Sequence, residues 1–103
     1  MTAFMIVSMA IDDDGWMTDY FAAVPAILAD HGGQPLAGSR AIRRIEGKGK
    51  APDRMAVFTF PSLAAIDAFM ADPRYRPFLE ARTAATISDI CAFENELRGP
   101  ELV

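Results

Sequence analysis

A chain of 103 residues holds one domain, and two are excluded. Hydrophobic residues make up 51% of it with no low-complexity tract, which excludes bulk disorder. Fourteen acidic against ten basic side chains, net charge -4, are a poor endowment for gripping phosphate backbones; one cysteine and one histidine exclude an intrachain disulfide and a Cys/His zinc cluster.

Ala3 to Ile11, rich in Phe, Met, Ile and Val and bounded by Asp12-Asp13-Asp14, predicts a strand. No Lys or Arg precedes it and an acidic triplet follows, the wrong flanks for a signal peptide. It is also far short of the roughly 20 residues that span a bilayer. The expectation is a cytoplasmic protein with no membrane partner. Asp14 is placed to cap a helix to His31, because Met17, Tyr20, Phe21, Val24, Ile27, Leu28 and His31 recur at three and four residues. Pro25 should kink this helix, and Gly32-Gly33 should end it.

Gln34 to Glu46 reads as an edge strand, since Pro35, Gly38 and three arginines suit no sheet centre. Gly47 to Asp53 reads as a hairpin loop, and Arg54 to Phe60 as a third strand, apolar on both parities. Pro61-Ser62 opens a helix whose inner stripe is Leu63, Ile66, Phe69 and Met70. Asp72-Pro73 breaks it and can start a short further helix with Tyr75, Phe78 and Leu79, despite Pro77. Thr86 to Glu94 is the fourth strand, in which Cys91 is expected as a small buried hydrophobe. The domain spans 1–96, and 97–103 form a polar C-terminal tail.

Strand, helix, strand, strand, helix, strand is the order of the ferredoxin-like βαββαβ unit, an α+β fold with a four-stranded antiparallel sheet. Two helices cover one face of such a sheet, and a wet second face should alternate apolar with polar. The first and third strands do not alternate. The expected cover is a second copy of the chain, a homodimer.

The ordered set Tyr20-Phe21-Ala22-Ala23-Val24-Pro25, His31-Gly32-Gly33, Ile45-Glu46-Gly47, Val57 to Leu63, Asp72-Pro73-Arg74-Tyr75 and Arg82 resembles domain-of-unknown-function family 1330. The similarity covers roughly Ala3 to Glu96. It implies the dimeric α+β barrel superfamily, in which two ferredoxin-like sheets pack face to face. That superfamily holds cofactor-free monooxygenases, lactone isomerases, haem-dependent peroxidases and proteins of no known activity, so the fold alone assigns no reaction. The chain departs from the family pattern at Phe69-Met70, where Trp and a second aromatic are usual.

Five residues are candidates for a site between helix and sheet. His31 would serve as general base or ligand donor at the pocket mouth; the competing role is closing a helix C-terminus. Glu46 and Arg82, at positions matching the family, could orient an acidic or carbonyl substrate, against a surface ion pair. Tyr20 and Tyr75 could donate phenol hydrogen bonds into a cavity, against plain core packing. The helix face Met17, Tyr20, Phe21, Val24, Leu28 and His31 would line that cavity and suit a small, largely apolar ligand with one acidic or carbonyl group.

No cofactor is expected, since no motif for haem, flavin or nicotinamide is present, and no metal: Asp12-Asp13-Asp14 alone is a helix-start feature. Six of the ten basic residues fall between Arg40 and Arg54. The third strand nevertheless lacks the glycine and the stacking rings of an RNA recognition motif, and no nucleic-acid partner is expected. Two readings stay open: a small-molecule binder or enzyme, and a structural or regulatory dimer without chemistry.

Overall fold

A computed structural model describes residues 2–103. The elements are β1 (Ala3–Ile11), α1 (Met17–Asp30), β2 (Gln34–Ser39), β3 (Arg54–Phe60), α2 (Leu63–Met70), α3 (Arg76–Ala85) and β4 (Thr86–Glu94), followed by one 3-10 turn at Gly99–Leu102. Every strand pair is antiparallel, and the sheet order is β2-β3-β1-β4. The two strands that are apolar on both parities therefore lie in the centre, as the ferredoxin-like order requires.

Register sorts the side chains into two faces. Met5 stands opposite Phe58 and Ala92, and Val7 opposite Ala56 and Ile90; this parity faces the helices. Ala3, Met5, Val7 and Met9 are buried there with Phe60, Ile66 and Phe69. The other parity brings Phe4, Ile6, Val57 and Phe93 onto the far face, where Phe4 and Phe93 stack at 5.5 Å. Ile87, also on this face, is 70% exposed, so among the described residues no helix covers this apolar sheet surface. Cys91 pairs with Ile6 on the same face and is exposed, not buried as the sequence suggested. An apolar strand at a sheet edge shields only the parity turned to the helices, and Cys91 has the other one.

Helix α1 starts later than its acidic triplet promised. Asp13 Oδ1 accepts from the Gly15 backbone N–H at 3.2 Å, and its carbonyl accepts from Trp16 Nε1 at 2.7 Å. Asp14 contributes only its carbonyl, to Met17 N. The resulting turn drops Trp16 into the core and moves the first helical residue to Met17. The helix continues through Pro25 to Asp30. Gly32 at φ 78° terminates it, and a Cβ there would lie 2.7 Å from Pro61 Cγ.

The second strand is shorter than expected, ending at Ser39 rather than Glu46. Ser39 pairs with Met55, and β3 begins only one residue before that, so anything past Arg40 has no strand to pair with. A bulge between Pro35 and Ala37 further loosens this edge. The loop from Arg40 returns at Asp53, whose backbone N–H donates to the Met9 carbonyl at 2.9 Å and whose Oδ2 accepts from Ile11 N at 2.8 Å.

Helix α2 opens as its sequence predicts, with Ser62 Oγ accepting from Ala65 N at 3.1 Å. Helix α3 tolerates Pro77 because the first turn needs no N–H donor there. Tyr75, Phe78, Leu79 and Arg82 recur at helical spacing, which turns Arg82 inward with the aromatic and aliphatic side chains; it is 2% exposed.

Candidate functional site

A cavity of about 240 Å³ lies between α1 and the helix-facing side of the sheet. Met5 and Val7 of β1 form its floor, Val24 and Leu28 of α1 its roof. Gly33 also borders it, where the chain passes so close that a Cβ would lie 2.6 Å from Leu28 Cδ2 and 2.8 Å from Phe60 Cζ. Among the described residues that line it, none is acidic.

Its polar groups are few, and three of them are joined to one another. Tyr20 of α1 and Tyr75, just ahead of α3, bring their hydroxyls to 2.8 Å, where either can donate. Arg82 Nη2 donates to Tyr75 Oη at 3.4 Å. Arg82 Nε is buried and, among the described residues, has no hydrogen-bond partner. Among the described residues, no ion pair with a carboxylate engages this arginine either. A buried guanidinium without a counter-charge is expensive to keep, and proteins seldom do so without a use. Burial first, and the adjacent Tyr75 second, push the Tyr20 phenol well above its ordinary range, so at neutral pH it is a hydrogen-bond donor and not a base.

Aromatic packing fixes this cluster. Tyr75 is 1% exposed and stacks on Phe69 with ring centroids 4.5 Å apart. Tyr20 meets Trp16 edge-on at 5.1 Å. At the outer rim, Phe21 is 42% exposed and the Arg54 guanidinium lies 4.6 Å from its ring centroid. Both residues border the cavity.

Of the five sequence candidates, Tyr20, Tyr75 and Arg82 come together on the cavity wall. Both tyrosines pack in or against the core while bordering the cavity, and among the described residues Arg82 makes no ion pair. Glu46 lies elsewhere, exposed on the Arg40–Asp53 loop beside a groove that includes Ser8 and Met55. Met17 and His31 do not line the cavity, although the helix face had suggested both.

His31 belongs to a network that locks the end of α1 to the turn between α2 and α3. Its Nε2 is 2.7 Å from Asp72 Oδ2. Asp72 also accepts from Arg74 N at 2.8 Å and from Arg74 Nη2 at 2.8 Å, and Arg74 Nη1 reaches Asp30 at 2.8 Å. Arg74 above all, with His31 next, holds the Asp72 carboxyl well below the usual carboxylate range. Sequence reasoning missed Asp72 as the partner and Arg54 as a wall residue. For Arg82 the signal was present: a cation in register with Tyr75, Phe78 and Leu79.

The fold recurs in solved structures that share little sequence with this chain. A protein of unknown function from Rhodopseudomonas palustris superposes with a TM-score of 0.80 at 17% identity, over 95% of this chain and 84% of that one. SnoaB, a cofactor-independent oxygenase from Streptomyces nogalater, gives 0.66 at 17% identity, over 97% of this chain and 98% of that one. A dimeric ferredoxin-like protein of unknown function from Jannaschia sp. CCS1 gives 0.62 at 19% identity, over 91% and 99%. No curated protein sequence matches. The profile of one family does match, over residues 2–95, so the chain, ferredoxin-like in fold, belongs to the domain of unknown function family DUF1330.

Proposed function

We propose that the chain binds a small, largely apolar molecule through an acidic or carbonyl group in the cavity under α1, with Arg82 as the anchor. The observation that carries this is the buried Arg82 guanidinium, which lines a largely apolar cavity and has no carboxylate partner among the described residues. Apolar surface supplies affinity, and one charged group fixes orientation. Arg82 donating to Tyr75 frees the Tyr75 proton for Tyr20, which leaves the Tyr20 hydrogen as a terminal donor toward the same ligand group. The site so described rests on Tyr20, Tyr75 and Arg82, without His31 or Glu46.

Calorimetric titration with 4-phenylbutyrate and its methyl ester tests the anchor. The acid should bind more tightly than the ester, and Arg82→Met should weaken the acid by about tenfold or more, the worth of a charge-assisted hydrogen bond. Equal binding of acid and ester, or an acid indifferent to Arg82→Met, would refute it.

The working unit is a homodimer joined through the far sheet face. Support comes from the apolar surface of Phe4, Ile6, Val57, Ile87 and Phe93, which no helix covers, and from a structural neighbour that is dimeric. Sedimentation should show twice the 11.2 kDa chain mass at micromolar concentration. A lone monomer there would refute it.

A further inference from the structure

The cavity wall carries a second arginine that an anchor for one acid leaves unused. Arg54 opens β3 opposite Met9, on the parity that faces the helices, and borders the cavity at the exposed rim. Like Arg82 it forms no ion pair among the described residues. Its sequence neighbour Asp53 is occupied elsewhere, with the Ile11 backbone N–H at 2.8 Å and Lys50 at 3.6 Å. What holds Arg54 is the face of Phe21, 4.6 Å from the guanidinium carbon. A cation on a partly exposed ring is held more weakly than a guanidinium on a carboxylate, which it can grip through two parallel bonds. The charge balance is lopsided in the same direction. The chain has a net charge of -4, yet two of its ten basic residues and none of its fourteen acids border the cavity. Low-dielectric walls concentrate the field of two such charges on whatever enters.

We infer that the preferred ligands are dianions on an apolar frame, one acidic group held by Arg82 inside and a second by Arg54 at the rim. This rests on the Arg82 anchor proposed above and adds the second charge. Phe21 holds the Arg54 guanidinium beside the cavity, and a carboxylate arriving there exchanges a ring for a paired charge.

Titration with straight-chain α,ω-dicarboxylates of increasing length, each beside the monocarboxylate of equal carbon number, reads the second charge directly. The native protein should favour the diacid by about tenfold or more at one chain length, the length that spans the two guanidiniums. Arg54→Gln should abolish that preference while leaving the monoacid within about threefold of its original affinity. Arg54→Lys, which keeps the charge, should retain part of it and guards against a folding defect in the glutamine variant. Monoacids that bind as well as diacids at every length, still depending on Arg82, would overturn the dianion and leave the anchor standing. Equal weakening of both series by Arg54→Gln would also overturn it. Absence of binding by either series would remove both conclusions together.

Discussion

Replacing Arg82 by Met should make the protein more stable. The native side chain is 2% exposed, its Nε donates to nothing among the described residues, and its contact with Tyr75 is long at 3.4 Å. Leaving a buried donor unsatisfied costs about 1–3 kcal/mol, more when the group is charged. The long bond to Tyr75 returns roughly 0.5–1 kcal/mol at most, and Tyr75 keeps Tyr20 as a partner at 2.8 Å. Met retains most of the stem and fills the space with a flexible apolar chain. The net gain is about 1–2 kcal/mol, which in a domain of this length raises Tm by roughly 5–10 °C. Urea unfolding followed by Trp16, the single tryptophan and a buried one, gives the free energy; thermal unfolding gives Tm. Protein concentration has to be held constant, because association shifts both. A variant less stable by more than about 1 kcal/mol would mean that the guanidinium serves the architecture, and the case for a ligand anchor would fail.

The Asp72 carboxyl, lowered by Arg74 and then His31, stabilises the fold fully above the ordinary carboxylate pKa and ceases to do so as pH falls through its lowered value. Urea midpoints should therefore drop on acidification below about pH 4, and Asp72→Asn should flatten that slope; an unchanged slope counts against the network. Gly32→Ala forces φ 78° on a residue with a Cβ and presses it to 2.7 Å from Pro61 Cγ, so a loss of about 1–3 kcal/mol is expected in urea unfolding. A neutral result would show that the α1 terminus relaxes freely. Val57→Lys places a charge on the far sheet face, opposite Ile6 and Ala37. It should halve the sedimenting mass while leaving the circular dichroism unchanged, and a persistent dimer would put the interface elsewhere.

The fold was legible in the sequence because its signals are local and mutually consistent. Apolar strands on both parities, the Ser62 cap and the Gly32-Gly33 stop each act within a few residues. The second strand misled because strand extent depends on register: the start of β3 at Arg54 was legible, but nothing between Arg40 and Glu46 reveals that Ser39 pairs with Met55 and leaves the residues beyond Arg40 unpartnered. The start of α1 misled for a different reason: Asp14 was expected to cap the helix, but Asp13 closes a turn on Gly15 ahead of it and the helix begins at Met17 without a side-chain cap. At the site, Tyr20, Tyr75 and Arg82 were identifiable one by one. Their union was not, because it needs α1 and α3 to close over the same sheet residues. His31 drew attention as the only histidine, whereas its role depends on Asp72, forty-one residues away in sequence.

The two margins of the sheet are not equivalent. The β2 margin is six residues long, interrupted by Pro35, a bulge and Gly38, so an incoming strand would find a broken ladder. The β4 margin runs nine residues in unbroken register with β1 and pairs with no strand on its outer side. Only Asp89 and Glu94 interrupt it with charge. Backbone-mediated growth into ribbons or fibrils would thus start at β4, and screening those two carboxylates by salt or acid is what would encourage it.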